Sequence, residues 1–259
     1  MRTPRQLLPV LAGLAAVTIA TTSACGAPDD SGPTTGAPVR LDPPGSGPSR
    51  VVQLGDSVSV GLGEPLGAAF AAAGVTFSSR ASEGGGNVVG PNAEETWRTL
   101  PDVVGSARPS TVVYQLTTFD WGTEKEQRAA YQRLLDETRA VDAQLVLVSM
   151  PPIEPDDFYA PHMDELDHAA EAARSVADGS EGAATFLDAS AVWGEDYRRT
   201  VDGVVDRSTD GIHVCPQGAA RYTVWLLDAL GDLYPEFTPP PAEEWADTGW
   251  ADSDRFVGC

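Results

Sequence analysis

A serine near the start of the chain, with an aspartate and a histidine near its end, has the residue types that nucleophilic catalysis requires. Ser57 stands in "VVQLGDSVSVG", directly after an apolar run, and Asp210 and His213 stand in "STDGIHVCPQG". A serine hydroxyl is a weak nucleophile at neutral pH, so an imidazole must accept its proton and a carboxylate must orient that imidazole. We therefore predict a catalytic triad of these three residues, with Gly211 at the bend of the loop that presents the last two.

The elements that must position these residues alternate between apolar runs of strand length and stretches with helical periodicity. The predicted strands cover residues 51–55, 75–79, 111–117, 143–150 and 184–190. The predicted helices cover residues 63–74, 93–106, 124–141, 163–178 and 216–234. Because the apolar runs are continuous, they indicate parallel strands that are buried on both faces. The sequence therefore predicts an α/β protein with a five-stranded parallel sheet, whose ligands bind at the carboxyl ends of the strands.

Two motifs resemble those of the SGNH hydrolases, also called GDSL-type esterases and lipases. They are "GDSVSVG" after the first strand and "DGIH" before the last helix, and the resemblance extends from about Val51 to Leu230. It implies a flavodoxin-like, three-layer α/β/α sandwich with the nucleophile at Ser57 and the Asp-x-x-His motif at Asp210 and His213. It also implies that the backbone N–H of the serine helps to form the oxyanion hole, and that no cofactor or metal takes part.

The resemblance assigns further roles after the second and third strands. The family places an oxyanion-hole glycine after the second strand, where "SEGGGN" offers the N–H groups of Gly84, Gly85 and Gly86. We choose Gly85 among them. After the third strand, Asp120 fits the aspartate of the family and is expected to brace its loop. Trp121 beside it is a candidate to stack on a sugar of the substrate.

One oxyanion donor of the family is missing from this sequence. The family has an asparagine after the third strand, but "LTTFDWG" has Phe119 or one of its neighbours at that position. We expect the hydroxyl of Thr118 to replace the missing amide, with the side chains of Gln115 and Asn87 as alternatives. Loss of one oxyanion donor typically lowers the rate by two to three orders of magnitude. The replacement therefore decides whether the chain is an ordinary, a slow or a specialised enzyme.

The N-terminal residues have the layout of an export signal. Arg2 and Arg5 precede the apolar stretch "LLPVLAGLAAVTIA" and the small residues of "TTSAC". The apolar run is too short for a comfortable membrane span. Cys25 resembles the lipidated cysteine of a bacterial lipoprotein signal, although Thr22 stands where that motif prefers leucine, and an ordinary secretory signal is the alternative. We predict a signal peptide over residues 1–24 and extracytoplasmic anchoring through Cys25 as the only membrane contact.

The remaining cysteines and the chain terminus complete the predicted organisation. The chain has three cysteines, and if Cys25 carries lipid, Cys215 and Cys259 remain. Two such cysteines outside the cytoplasm usually form a disulfide. Three segments are then expected after the signal peptide: a lipid-anchored flexible linker over 25–49, a hydrolase domain over 50–234, and a C-terminal strap over 235–259 that packs on the domain. The strap contains Trp245 and Trp250, which are too apolar for a free tail.

Composition limits the possible functions. The chain has 259 residues, 42% hydrophobic composition and a formal net charge of −21. This length allows one sizeable core, and the negative charge disfavours nucleic-acid binding. Our hypothesis is a monomeric, extracytoplasmic serine esterase that acts on O-acyl glycans, lipids or small esters. Two alternatives stay open: an O-acyltransferase acting on cell-envelope carbohydrate, and a non-catalytic binding lipoprotein that retains the fold.

Overall fold

A computed structural model of the chain describes residues 47–259. The predicted signal peptide, Cys25 and the predicted linker up to residue 46 lie outside the described residues. Pro48 is already buried, so the packed part of the chain begins before the predicted domain boundary at residue 50. Within residues 47–259, no helix is both long enough and apolar enough to cross a membrane.

The central sheet contains five parallel strands in the order β2-β1-β3-β4-β5. The strands are β1 (Arg50–Leu54), β2 (Thr76–Ser79), β3 (Thr111–Gln115), β4 (Gln144–Val148) and β5 (Ala184–Leu187). The pairing begins at Arg50↔Thr76 between β1 and β2, and at Val51↔Thr111 between β1 and β3. The strand order reverses at β1, and in open α/β sheets such a switch point is where ligands bind. This sheet confirms the predicted fold class.

Helices cover both faces of the sheet. The first layer contains α1 (Ser57–Ala72) and α6 (Pro216–Leu233), and the second contains α2 (Ala93–Ala107), α3 (Glu124–Arg139) and α4 (Met163–Asp178). Successive side chains of a strand point to opposite faces. Val51 therefore packs in the core under α1 and α6, whereas Val52 and Leu54 pack under the other helices. The three-layer α/β/α sandwich is confirmed.

Helix α1 begins six residues earlier than the sequence predicted. The prediction began it at Gly63, but the first helical residue is Ser57. Asp56 causes this early start because its side-chain Oδ1 accepts a hydrogen bond from the N–H of Val58 at 3.0 Å, which caps the helix. The predicted nucleophile therefore occupies the first position of a 16-residue helix.

The segment between β5 and α6 contains small elements that the sequence did not predict. They are α5 (Ser190–Trp193) and the antiparallel pair β6 (Thr200–Val201) and β7 (Val204–Val205). Elements of two to four residues are too short to show a periodic pattern in the sequence. They lead directly into the loop that carries Asp210 and His213.

The predicted strap, residues 235–259, packs against the layer of α1 and α6. Phe237 and Trp245 belong to the hydrophobic core on this side of the sheet, and Trp245 is only 1% exposed. Two short 3₁₀ helices shape the segment, Ala242–Glu244 and Trp250–Asp252. A disulfide joins Cys259 to Cys215, which confirms the predicted pairing.

Candidate active site

The three predicted triad residues lie together, although Ser57 and His213 are 156 residues apart in the sequence. The Nε2 atom of His213 lies 2.8 Å from the Oγ of Ser57. The Nδ1 atom of the same ring lies 2.7 Å from Oδ2 of Asp210. This continuous chain of two hydrogen bonds has the geometry that a hydroxyl, an imidazole base and an orienting carboxylate need.

The loop of Asp210 and His213 is shaped by the aspartate itself. Its Oδ1 accepts hydrogen bonds from the N–H groups of Ile212 at 2.8 Å and His213 at 3.0 Å. Partial burial alone would raise the pKa of the Asp210 carboxyl, but these bonds and the histidine ring outweigh it and hold the pKa below its usual value. Gly211 is required at the bend, because it has a φ of +79° and a Cβ there would lie 2.8 Å from Cβ of Glu154.

Gly55 connects β1 to the predicted nucleophile, Ser57. Its φ is +148°, and a Cβ at this position would lie 2.1 Å from the Oγ of Ser59 in the first turn of α1. Only glycine allows the helix to begin so close to the end of the strand. The short connection holds Ser57 at the helix N-terminus, where backbone N–H groups face developing negative charge.

Asp56 ties this helix start to the loop after β3. Its Oδ2 accepts hydrogen bonds from the N–H of Thr118 at 2.7 Å and from the hydroxyl of Thr118 at 2.8 Å. Burial raises the pKa of the Asp56 carboxyl, although these bonds oppose the rise. The expected role of Thr118 is therefore corrected: its hydroxyl proton is already donated to Asp56, so Thr118 is a structural link and not a free oxyanion donor.

The glycines after β2 form the other side of the site. The N–H of Ser82 donates to the carbonyl of Gly55 at 3.0 Å, and a Cβ at Gly86 would lie only 2.0 Å from that same carbonyl oxygen. The N–H groups of Gly84, Gly85 and Gly86 make no hydrogen bond to any residue within 47–259. Gly84 borders the cavity that contains the triad, whereas Gly85 is buried and borders a neighbouring cavity. The choice of Gly85 stays a prediction.

Neither alternative amide reaches the cavity beside Ser57. The side-chain nitrogen of Asn87 donates to the carbonyls of Val89, at 2.6 Å, and Pro91. Gln115 is 1% exposed, and its amide has no partner among the described residues. Both side chains are sealed inside the protein, so the missing asparagine is not replaced by either of them at the cavity surface.

Asp120 occupies the bracing position that the family resemblance implies. Its carboxylate is buried and accepts hydrogen bonds from the hydroxyls of Tyr114 at 2.8 Å and Tyr131 at 3.0 Å, and from the N–H of Thr117 at 3.2 Å. Burial raises the pKa of the Asp120 carboxyl to about 6, although these hydrogen bonds oppose the rise. The loop after β3 is thus fixed by buried hydroxyl groups of β3 and α3.

Trp121 is not brought to the triad, which corrects its expected place in the substrate site. Its ring stacks on the imidazole of His162 with a centroid separation of 3.6 Å and an interplanar angle of 4°. Its Nε1 donates to the carbonyl of Thr118 at 2.9 Å. Trp121 borders a different cavity from Ser57, and one face of its indole is already covered.

The triad opens into a cavity of about 640 Å³. Its walls come from the start of α1, from the glycine segment, from the loop of Asp210 and from the C-terminal strap. The strap contributes Asp254, Arg255 and Val257 to the wall. Among residues 47–259, no cluster of three or more His, Cys, Asp or Glu side chains is suited to hold a metal ion.

Arg207 is a positioning residue that the sequence did not reveal. It is 1% exposed, and its guanidinium donates to the backbone carbonyls of Pro152 at 2.8 Å, His213 at 3.3 Å and Ile212. Burial lowers the pKa of Arg207, which has no carboxylate hydrogen-bonded to it among the described residues. An arginine three residues before Asp210 is the only sequence signal for this role.

The strap fastens the same loop from outside. The hydroxyl of Ser208 donates to the carbonyl of Val257 at 2.8 Å, and the N–H of Thr209 donates to the carbonyl of Gly258 at 3.0 Å. The disulfide from Cys215 completes this attachment. The end of the chain therefore lies against both flanks of the Asp210 and His213 loop.

Comparison with solved structures identifies the fold. A putative acylhydrolase from Bacteroides fragilis matches with a TM-score of 0.53 and 16% identity, covering 71% of this chain and 86% of its own. A catalytic mutant of an acetylxylan esterase from Geobacillus stearothermophilus matches with a TM-score of 0.54 and 12% identity, covering 72% and 95%. A GDSL-like lipase from Bacteroides thetaiotaomicron matches with a TM-score of 0.53 and 14% identity, covering 70% and 87%.

These similarities show that the chain has the fold of GDSL-type lipases, acylhydrolases and acetylxylan esterases. No protein-family model and no curated protein sequence matches the chain. At 12–16% identity, the likeness to these three proteins establishes the fold alone. The chemistry of this chain must be argued from its own residues.

Proposed function

We propose that this chain is a serine hydrolase of the SGNH or GDSL type that cleaves carboxylic esters. The observation that carries the proposal is the hydrogen-bonded series of Ser57, His213 and Asp210 at an open cavity. The fold alone hosts more than one function, so the proposal depends on this site and not on the fold. Structural neighbours that are lipases and esterases support it.

In the acylation step, the imidazole of His213 accepts the proton of Ser57 while Oγ attacks the ester carbonyl. Asp210 keeps Nδ1 protonated and stabilises the imidazolium that forms. The same imidazolium then donates its proton to the leaving alkoxide, which departs as an alcohol. In the deacylation step, His213 activates a water molecule that releases the acid and restores the serine.

The negative charge that develops on the carbonyl oxygen needs donors that are not already paired. The N–H of Ser57 lies at the start of α1 and has no hydrogen-bond acceptor among the described residues. The N–H groups of the glycine segment 84–86 are likewise unpaired within the described chain. We assign the oxyanion hole to these backbone donors, because Thr118, Gln115 and Asn87 are engaged or sealed elsewhere.

The proposed location follows from the N-terminal residues and not from the fold. We propose that Cys25 is diacylated after signal removal, so that a monomeric enzyme faces O-acylated molecules outside the cytoplasm. The motif "TTSAC" and the Gly- and Pro-rich linker that follows support this. Detergent partitioning of the full chain and of Cys25→Ala tests it: both proteins remaining in the aqueous phase would contradict the lipid anchor.

The nucleophile is tested with Ser57→Ala, with Ser82→Ala as the control because Ser82 is an exposed serine near the same site. Hydrolysis of p-nitrophenyl acetate should fall by roughly 10⁴-fold or more in Ser57→Ala, because triad members act as a unit. Labelling by a fluorophosphonate should disappear as well. The control should retain both activities. Continued labelling of Ser57→Ala would place the nucleophile elsewhere.

A further inference from the structure

A second groove lies beside the triad cavity, between α1 and the C-terminal strap. We call it the strap groove; it measures about 910 Å³, and its walls include Glu64 and Ala68 of α1, Ser79 of β2, and Thr248 and Trp250 of the strap. We propose that the strap groove binds the sugar chain of a neutral O-acylated oligosaccharide whose ester lies at Ser57. This inference rests on the proposed ester hydrolysis and adds a substrate class to it.

The strap groove adjoins the triad cavity. Val60, Glu83 and Arg255 border both spaces. At this boundary, the guanidinium of Arg255 forms an ion pair with the carboxylate of Glu83. The two side chains are 45% and 66% exposed, and an exposed ion pair of this kind is weak. Hydroxyl groups of a bound sugar can therefore replace either partner of the ion pair without a large loss of interaction free energy.

The lining of the strap groove has the chemistry that a sugar chain requires. The indole of Trp250 is partly exposed, and it is held in place because its Nε1 donates to the carbonyl of Trp245 at 3.0 Å. The rings of Trp245 and Phe256 pack against this indole with centroid separations of 6.4 Å and 5.9 Å, and its exposed part offers apolar surface to the C–H groups of a pyranose. Glu64, Ser79 and Thr248 supply hydrogen-bond donors and acceptors for its hydroxyls.

The same lining disfavours other occupants. A long acyl chain needs a mainly apolar surface, but only Val60, two alanines and Trp250 of this wall are apolar, and the other lining residues are acidic, hydroxyl, glycine or arginine residues. A polyanionic chain would meet Glu64 and Glu83, with Arg255 as the one cationic side chain among the described residues of its wall. The net charge of −21 adds to this repulsion. A neutral, polyhydroxylated chain fits the remaining requirements.

The test compares chain-length preference between variants. The substrates are p-nitrophenyl acetate and the O-acetylated monosaccharides and hexasaccharides of the xylose, glucose and N-acetylglucosamine series. Trp250→Ala removes the aromatic face, and Ala68→Arg fills the groove from the opposite wall while leaving the strap unchanged. Trp225→Ala is the control, because Trp225 is a partly buried tryptophan of α6 that borders neither space.

For at least one series, we expect the wild-type kcat/KM for the hexasaccharide to exceed that for its monosaccharide by about tenfold or more. Both groove variants should reduce this ratio to about one, mainly through a higher KM. Their rates on p-nitrophenyl acetate, and all ratios of the control, should stay unchanged. No preference for any hexasaccharide, or a preference that survives both variants, would overturn the proposal.

A second measurement separates the groove from the proposed reaction. If the wild type hydrolyses no ester at all, the proposed function fails, but binding still tests the groove. Calorimetric titration of Ser57→Ala with the three acetylated hexasaccharides should then show binding that is lost when Ala68→Arg is added. Absence of binding by all three oligosaccharides would overturn the groove independently of the catalytic result.

Discussion

Two loops flank Ser57, and they are held in opposite ways. The catalytic loop, residues 206–215, is attached to the rest of the molecule through Arg207, through backbone bonds to the strap and through the disulfide of Cys215. The glycine loop, residues 82–87, has one backbone–backbone hydrogen bond, at Ser82, and side-chain contacts from Asn92 to the carbonyl of Gly84 and from Arg255 to Glu83; its three glycine N–H groups are unpaired within the described residues. The difference matches the tasks that we propose for the two loops.

A proton relay depends on side-chain positions. Every contact that restricts its loop therefore helps to keep the side chains in the geometry that proton transfer requires. Backbone donors for an oxyanion have the opposite requirement, because any bond that fixed their N–H groups would also occupy them. The glycine loop is therefore positioned by close packing: the backbone of Gly86 lies directly against Gly55, where no Cβ fits. Single substitutions can alter one of these two modes of attachment at a time.

The largest effect is expected from Gly86→Ala in the glycine loop. Its Cβ would lie 2.0 Å from the carbonyl oxygen of Gly55, and φ is +83°, so the loop must move. We expect kcat for p-nitrophenyl acetate to fall by roughly 10²–10³-fold, which is the usual effect of losing an oxyanion donor. Gly84→Ala is the matched control, since its φ is +70° but a Cβ there has open space. Equal rates for the two variants would contradict positioning by packing.

Next in size is the loss of the disulfide that fastens the catalytic loop. The bond joins residues 44 apart, and the chain-entropy model gives an upper limit of about 4 kcal/mol for a loop of this length. We expect Cys259→Ser to lower the free energy of unfolding by about 2–4 kcal/mol in urea titrations. Esterase activity should also fall at temperatures where the domain is still folded. The double variant with Cys215→Ser should behave like the single variant, and unchanged stability in both would refute this role.

The same comparison explains what the sequence could and could not predict. The fold was predictable because five continuous apolar runs alternate with helical periodicity. Ser57, Asp210 and His213 were predictable because short local motifs stand at predicted strand and helix boundaries. Arg207 was not, since its partners are backbone carbonyls that no side-chain pattern encodes. Thr118 failed as an oxyanion donor for a different reason, because its hydroxyl has a buried side-chain partner, Asp56, that is distant in sequence.

Trp121 and Trp250 show a related limit. Trp121 lies in a loop and Trp250 begins a short 3₁₀ helix, and the sequence could not tell which of them borders the site. The structure covers one face of Trp121 with His162, whereas Trp250 borders the groove next to the triad cavity. Such a difference depends on the tertiary packing of the strap. The composition of the strap indicated only that its tryptophans are too apolar for a free tail. The start of α1 at Ser57 was missed because it depends on the cap that Asp56 provides, which hydrophobic periodicity does not detect.

A smaller effect is expected from Arg207→Lys. Lysine keeps the positive charge but cannot donate to several carbonyls in the planar fork that arginine provides. A buried carbonyl without a donor costs about 1–3 kcal/mol, so unfolding free energy should fall by about that amount. Arg128→Lys is the control, because Arg128 pairs with the carboxylate of Glu124 on the exposed face of α3, where a point charge suffices. A lower kcat in Arg207→Lys alone would show that the hydrogen bonds of Arg207 to the backbone carbonyls position His213.

The smallest effect concerns the charge held in the catalytic loop. Hydrogen bonds depress the pKa of Asp210 in the folded chain, so its carboxylate stabilises the fold above the unfolded pKa of about 3.9. That contribution is lost as the pH falls through the folded pKa. The side chain is 44% exposed and solvent-screened, so we expect less than about 1 kcal/mol. Urea unfolding from pH 3 to 7 should show wild type more stable than Asp210→Asn at pH 5–7, with the difference shrinking below about pH 4. A difference that grows on acidification would contradict the depressed pKa and, with it, the hydrogen-bonded loop.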